Sequence, residues 1–159
     1  MVWGQYVFLA LWFLWTWPAL AASADATTLL GIEGFRIEVE APSKTARELG
    51  VDEARLEGLT RERLKRVDLA VGDFPAVLVV SLRTIEHPTT VLAYCLEVQV
   101  RQVMQLTRTA QMQMLAPTWV EGRLTMVTRG SFVHSVTLAL TELLDRLIAD
   151  YRLVNKNPA

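Results

Sequence analysis

The chain has 159 residues, a net charge of −1 and an isoelectric point near 6.1, with 16 basic and 17 acidic side chains. That balance removes the electrostatic case for a nucleic-acid binder, and for a protein drawn by its overall charge to an anionic membrane. Its single cysteine, Cys95, excludes an intramolecular disulfide, so packing alone has to hold the fold.

No Lys, Arg, Asp or Glu occurs in residues 1–24. Val7 to Trp15 is uninterruptedly apolar, Trp17-Pro18 breaks a helix, and Ala19-Leu20-Ala21 and Ala22-Ser23-Ala24 offer two small-x-small cleavage sites. This pattern reads as a secretory signal over 1–24, followed by one domain over 25–159. An uncleaved membrane anchor is the alternative: the n-region Met1–Tyr6 lacks Lys and Arg, and roughly 20 apolar residues suffice to span a bilayer. No cysteine directly follows the apolar run, Cys95 lying far downstream, so a lipoprotein anchor is not expected. The expected location is exported, periplasmic or secreted, and membrane-anchored only if the leader is retained. Four of the five tryptophans precede residue 25, leaving Trp119 alone in the remaining domain.

Gly34 to Ala41 alternates perfectly, with Phe35, Ile37, Val39 and Ala41 opposite Arg36, Glu38 and Glu40, which predicts a strand buried on one side. Pro42 ends it. Asp52 is placed to cap a helix running to about Arg66, with Leu56, Leu59, Leu64 and Val67 as its apolar stripe and Gly58 as a weak point that allows two shorter helices. Ala76 to Ile85 is β-branched and apolar on both faces at its start, as in a central strand. A turn at Glu86-His87-Pro88-Thr89 leads into a long strand from about Val91 to Thr107. A short alternating strand, Ala110–Met114, follows. After Pro117, Trp119 to Val127 offers one more strand. Ser131 is placed to cap a last helix, with Phe132, Val136, Ala139, Leu140, Leu143, Leu147 and Tyr151 at helical spacing.

The order β-α-β-β-β-(β)-α predicts an α+β domain: an antiparallel sheet of about four to five strands with two helices packed on one face.

In its motif words the chain resembles a family of small, exported bacterial proteins of unassigned function. The words are Arg63-Leu64-Lys65, Tyr94, Glu97-Val98-Gln99, Thr118-Trp119 with Gly122, and the tail Leu144-Asp145-Arg146-Leu147-Ile148-Ala149-Asp150-Tyr151 with Asn155. In that family the tail usually shows an aromatic where this chain has Leu147, and the first helix usually ends in a Gly-containing turn where this chain has Val67-Asp68. The topology also looks like envelope modules that support outer-membrane transport and assembly, a fold-level analogy that implies no activity.

Reactive constellations are scarce. His87 and His134 are the only histidines, too few for a metal site with Cys95, and Ser131 beside His134 lacks an acidic partner and a Gly-flanked elbow. No cofactor or metal site and no catalytic residue is expected. Cys95 reads first as a buried inert thiol and second as an exposed redox or dimer-forming one. Asp145 and Asp150 read as solvated, and Met104, Met112, Met114 and Met126 as core filling, with a Met-lined groove for lipid or peptide as the alternative. Trp119 reads first as a core plug and second as an aromatic that a partner buries. On the face that the helices leave open, Val77, Val79, Val103 and Leu115 form a candidate apolar island among Arg36, Glu38, Glu97, Gln99, Arg101, Gln111 and Gln113. Trp119, Val77, Val79, Arg101 and Val103 are therefore the candidate partner-binding residues. The resulting expectation is a non-catalytic envelope module that binds a protein or lipid-like partner and no nucleic acid. The competing reading is a small periplasmic enzyme with a site near His87 or His134.

Overall fold

A computed structural model describes residues 26–86, 91–106, 108 and 112–155. The segment 1–24, expected to be a leader, and His87 therefore lie outside the described residues. The elements, in order, are β1 (Gly34–Val39), α1 (Lys44–Glu48), α2 (Glu53–Lys65), β2 (Ala70–Val71), β3 (Val77–Glu86), β4 (Val91–Gln105), β5 (Gln113–Thr128) and α3 (Phe132–Asn155). Single 3₁₀ turns at Ala26–Leu29 and Arg129–Ser131 precede β1 and α3.

The α+β class and the one-sided helix layer hold. The five-stranded sheet has the order β2-β1-β3-β4-β5. It is mixed rather than wholly antiparallel, because β1 runs parallel to both β2 and β3. The reason is the connection: α1 and α2 carry the chain from β1 back across the sheet, and a crossover of that length delivers a parallel neighbour, whereas tight turns deliver the antiparallel β3-β4-β5 meander.

Alternation along β4 puts Leu92, Tyr94, Leu96, Val98 and Val100 on the helix side, where all five are buried. Against them α3 presents Phe132, Val136, Ala139, Leu140, Leu143, Leu144, Leu147 and Ile148, the stripe its sequence spacing sets out. The Tyr94 and Phe132 rings meet edge-to-face at 5.7 Å, and Phe35 meets Tyr151 at 6.2 Å. Helix α2 stays whole through Gly58 and is capped as expected: Asp52 Oδ1 accepts from the Arg55 amide at 2.8 Å. Ser131 does not take the cap role; its hydroxyl donates back to the Thr128 carbonyl at 3.2 Å.

Pro117 does not interrupt the last strand. It lies inside β5, on the sheet edge, where its missing amide breaks no ladder, and Val100 and Arg101 pair with Trp119 and Pro117 across an irregularity that leaves Thr118 extra. The methionine expectation is corrected: Met104, Met112, Met114 and Met126 are exposed rather than under the helices. Met126 faces the open side. The other three sit where the β4-β5 hairpin outruns the helix layer, since β4 spans about 50 Å and α3 about 36 Å at standard rises.

Candidate functional site on the open sheet face

Strand register builds the uncovered face row by row. At one end Arg36, Val77 and Arg101 lie side by side, and Glu38, Val79, Gln99 and Val120 follow. Ser81, Glu97 and Gly122 form the next row, then Arg83, Cys95 and Leu124, and finally Ile85, Ala93 and Met126. The face is thus polar where it borders β1 and apolar in the corner between the end of β3, the start of β4 and the end of β5.

The polar part is a connected layer. Arg36 pairs with Glu38 at 3.2 Å, and the Glu40 carboxylate is shared by Arg101 at 3.3 Å and Arg83 at 3.8 Å. Arg101 also donates from Nε to Gln99 at 3.0 Å, and Gln99 in turn donates to Glu97. These groups are partly exposed, so each pair contributes little by itself. Their aliphatic stems matter more, because they lie across the two valines between them.

That layer corrects the expected apolar island. Val77 and Val79 do point to the open face, yet both are buried beneath their charged neighbours and offer a partner no apolar surface. Arg101 is half-buried within the network, while Val103, 56% exposed, belongs to the projecting hairpin. Trp119 faces the opposite way, buried in the core, and its Nε1 donates to Asp150 Oδ2 at 2.9 Å. Its core-plug reading fits this placement, and the reading as an exposed aromatic does not. The five candidates therefore do not converge.

Sequence reasoning missed the apolar corner. Ile85 on β3 and Leu124 and Met126 on β5 are 70%, 74% and 71% exposed, flanking Ala93 and Cys95 of β4 between them. Cys95 is a free thiol of intermediate exposure in this corner, not a buried one. A signal existed in the period-two phase of β5, which places Val120, Leu124 and Met126 opposite Trp119, Glu121 and Arg123. It was legible only once β5 was paired with β4.

The carboxylates read as solvated have partners. Arg63 Nε donates to Asp145 Oδ1 at 2.6 Å, tying α2 to α3. Tyr151 donates to the Ile32 carbonyl at 2.8 Å, and Asn155 binds the Leu29 carbonyl at 3.0 Å and the Gly31 amide at 2.9 Å. His134 is exposed on the first turn of α3. Among the described residues no group of three or more His, Cys, Asp or Glu could hold a metal ion, and no helix is long and apolar enough to cross a membrane. A groove of about 290 Å³ runs between Leu30–Gly34 and Phe74–Ala76 and reaches Gln102 and Val103. Glu33 is its one ionisable group.

No family model matches the chain, and no curated protein is similar to it. Among solved structures, the crystal structure of a minor lipoprotein from Acinetobacter baumannii is similar at a TM-score of 0.42 and 11% identity, over 79% of this chain and 92% of that one.

Proposed function

We propose that the chain is a non-catalytic module of the cell envelope that docks a protein partner on the open face of its sheet. The observation that carries this reading is the apolar corner of Ile85, Ala93, Leu124 and Met126. Three large side chains there stand mostly in water on a face whose remainder is shielded by ion pairs. An apolar centre rimmed by charged groups has the anatomy of a protein interface, and a flat sheet face presents it without a cleft. The charge-free leader over residues 1–24 supports export.

A photo-reactive amino acid placed at Leu124 in intact cells tests the idea. The expected result is one discrete cross-linked species, absent when the probe sits at Glu62 on α2. A probe at Leu124 that captures nothing, or the same diffuse products as Glu62, refutes it.

A further inference from the structure

The two edges of the sheet are built differently. At one end lies β2, only Ala70 and Val71 long. At the other lies β5, from Gln113 to Thr128, and among the described residues no strand pairs with its outer side. Sheet edges are ordinarily blunted by shortness, proline, lysine or a bulge. Pro117 and the irregularity beside it do this for the first part of β5, but Val120 to Thr128 contains no proline and no lysine.

Hydrogen-bond phase shows which groups that edge presents. The Arg36 and Glu40 amides donate to the Ala76 and Val80 carbonyls, each at 2.9 Å, so the even-numbered residues of β3 face β1 and the odd-numbered ones face β4. Carried through the register, the even-numbered residues of β4 face β5, in phase with the Leu106 amide on the Met112 carbonyl at 3.1 Å. Past the irregularity Val100, Val98 and Leu96 meet Trp119, Glu121 and Arg123. The amides and carbonyls of Val120, Gly122, Leu124 and Met126 therefore point outward, where an added strand would bind them.

Charge identifies that strand. On the helix side of the edge Glu121 and Arg123 stand on either side of Gly122. Paired with itself in the antiparallel sense about Gly122, this segment sets Glu121 opposite Arg123 of a second copy, and Arg123 opposite Glu121 of that copy. These are non-hydrogen-bonded pairs, in which side chains lie closest. Centring on Glu121 or on Arg123 sets like charges face to face, and centring on Leu124 leaves both opposite uncharged residues. Within the chain Glu121 meets Arg146 at 3.1 Å and Arg123 meets Glu142. All four stay partly exposed beside a cavity of about 210 Å³ lined by Gly122, Arg123, Glu142, Leu143 and Arg146. The second copy's charges thus extend an alternating network rather than displace one. On the open face the same register lays Val120 against Leu124, covering apolar side chains that are 43% and 74% exposed.

We infer that β5 pairs with β5 of a second copy, antiparallel about a two-fold axis between the two Gly122 residues, joining two five-stranded sheets into one. Gly122 bonds its own mate, and Val120 bonds Leu124 of the other copy, through the outward amides and carbonyls. Both helix layers fall on one side and both open faces on the other. The pairing uses the edge and does not rest on the docking reading of the face.

The test uses the full chain, purified as the cell processes it, with Cys95→Ser and one introduced thiol, Gly122→Cys or Leu124→Cys, oxidised with copper phenanthroline. The thiols at 122 are expected to join and give a band of twice the chain's mass. Those at 124 are not, because this register leaves them four residues apart along the strands, about 14 Å and beyond disulfide reach. Arg123→Glu sets Glu121 against a like charge, and Val120→Pro removes an outward amide and no bond to β4. Each should abolish the band in the Gly122→Cys chain while the circular dichroism stays unchanged. No band at 122, or a band at 124 in its place, overturns the inference. A doubled band that survives both Arg123→Glu and Val120→Pro marks random collision and overturns it as well.

Discussion

Trp119 and Asp150 show what a single residue contributes here. The indole fills the core between β5 and α3, and its N–H is satisfied by a carboxylate one helix turn from the end of α3. Trp119→Phe keeps most of the apolar volume and removes the donor, so it should cost about 1–2 kcal/mol of unfolding free energy. Asp150→Asn keeps an acceptor oxygen and should stay within about 0.5 kcal/mol of the parent. Urea unfolding followed by circular dichroism checks both, since Trp119 is the only tryptophan beyond residue 24 and its fluorescence is lost in the first variant. The words that carry the family resemblance are largely ties of this kind: Arg63 to Asp145, Trp119 to Asp150, and Tyr151 and Asn155 to the first turn. The sequence names the words, but their partners are 31 to 126 positions away, and spacing alone gives no hint of which carboxylate meets which donor.

Among elements, β1 and the hairpin depart most from expectation. β1 has parallel neighbours on both sides, and Gly34 is where β2 and the Phe74 ring press against it. A Cβ at that position would meet the ring at 2.5 Å and the Ala70 carbonyl oxygen at 2.8 Å. Gly34→Ala should therefore destabilise the domain by about 1–3 kcal/mol, with Gly58→Ala on the open side of α2 as a neutral or stabilising control in the same thermal melts. For the cap of α2, Asp52→Ala should cost about 1 kcal/mol by the same measurement, through the lost bond to the Arg55 amide. Strand phase along β4 and β5 was readable from alternation. Helix cover was not, because it depends on how far α3 and the first turn reach. Met104 and Met114 have the phase of core residues and the position of exposed ones.

At the scale of the molecule, the sheet has one face sealed by helices and one divided between an ion-paired layer and an apolar corner. The Leu124→Asp and Met126→Asp pair touches only that corner. Its effect on thermal stability should stay within about 1 kcal/mol, each change being a surface substitution, while cross-linking from a neighbouring probe on the same face at Val120 should be lost. A large drop in melting temperature would mean instead that the corner packs against something within the domain itself.

By itself the sequence determined the helices, the strand phases, the α+β class and the Asp52 cap. These follow from periodicities and end signals that act within a few residues, where side-chain direction is fixed by the backbone. Tertiary structure alone decided that β1 pairs in parallel and that Val77 and Val79 disappear under arginine and glutamate stems. It also decided that, among the described residues, nothing covers the Leu124 corner. Each of those outcomes depends on which distant element lies over a given face and how far it extends, a matter of relative length and crossover path that no local pattern records.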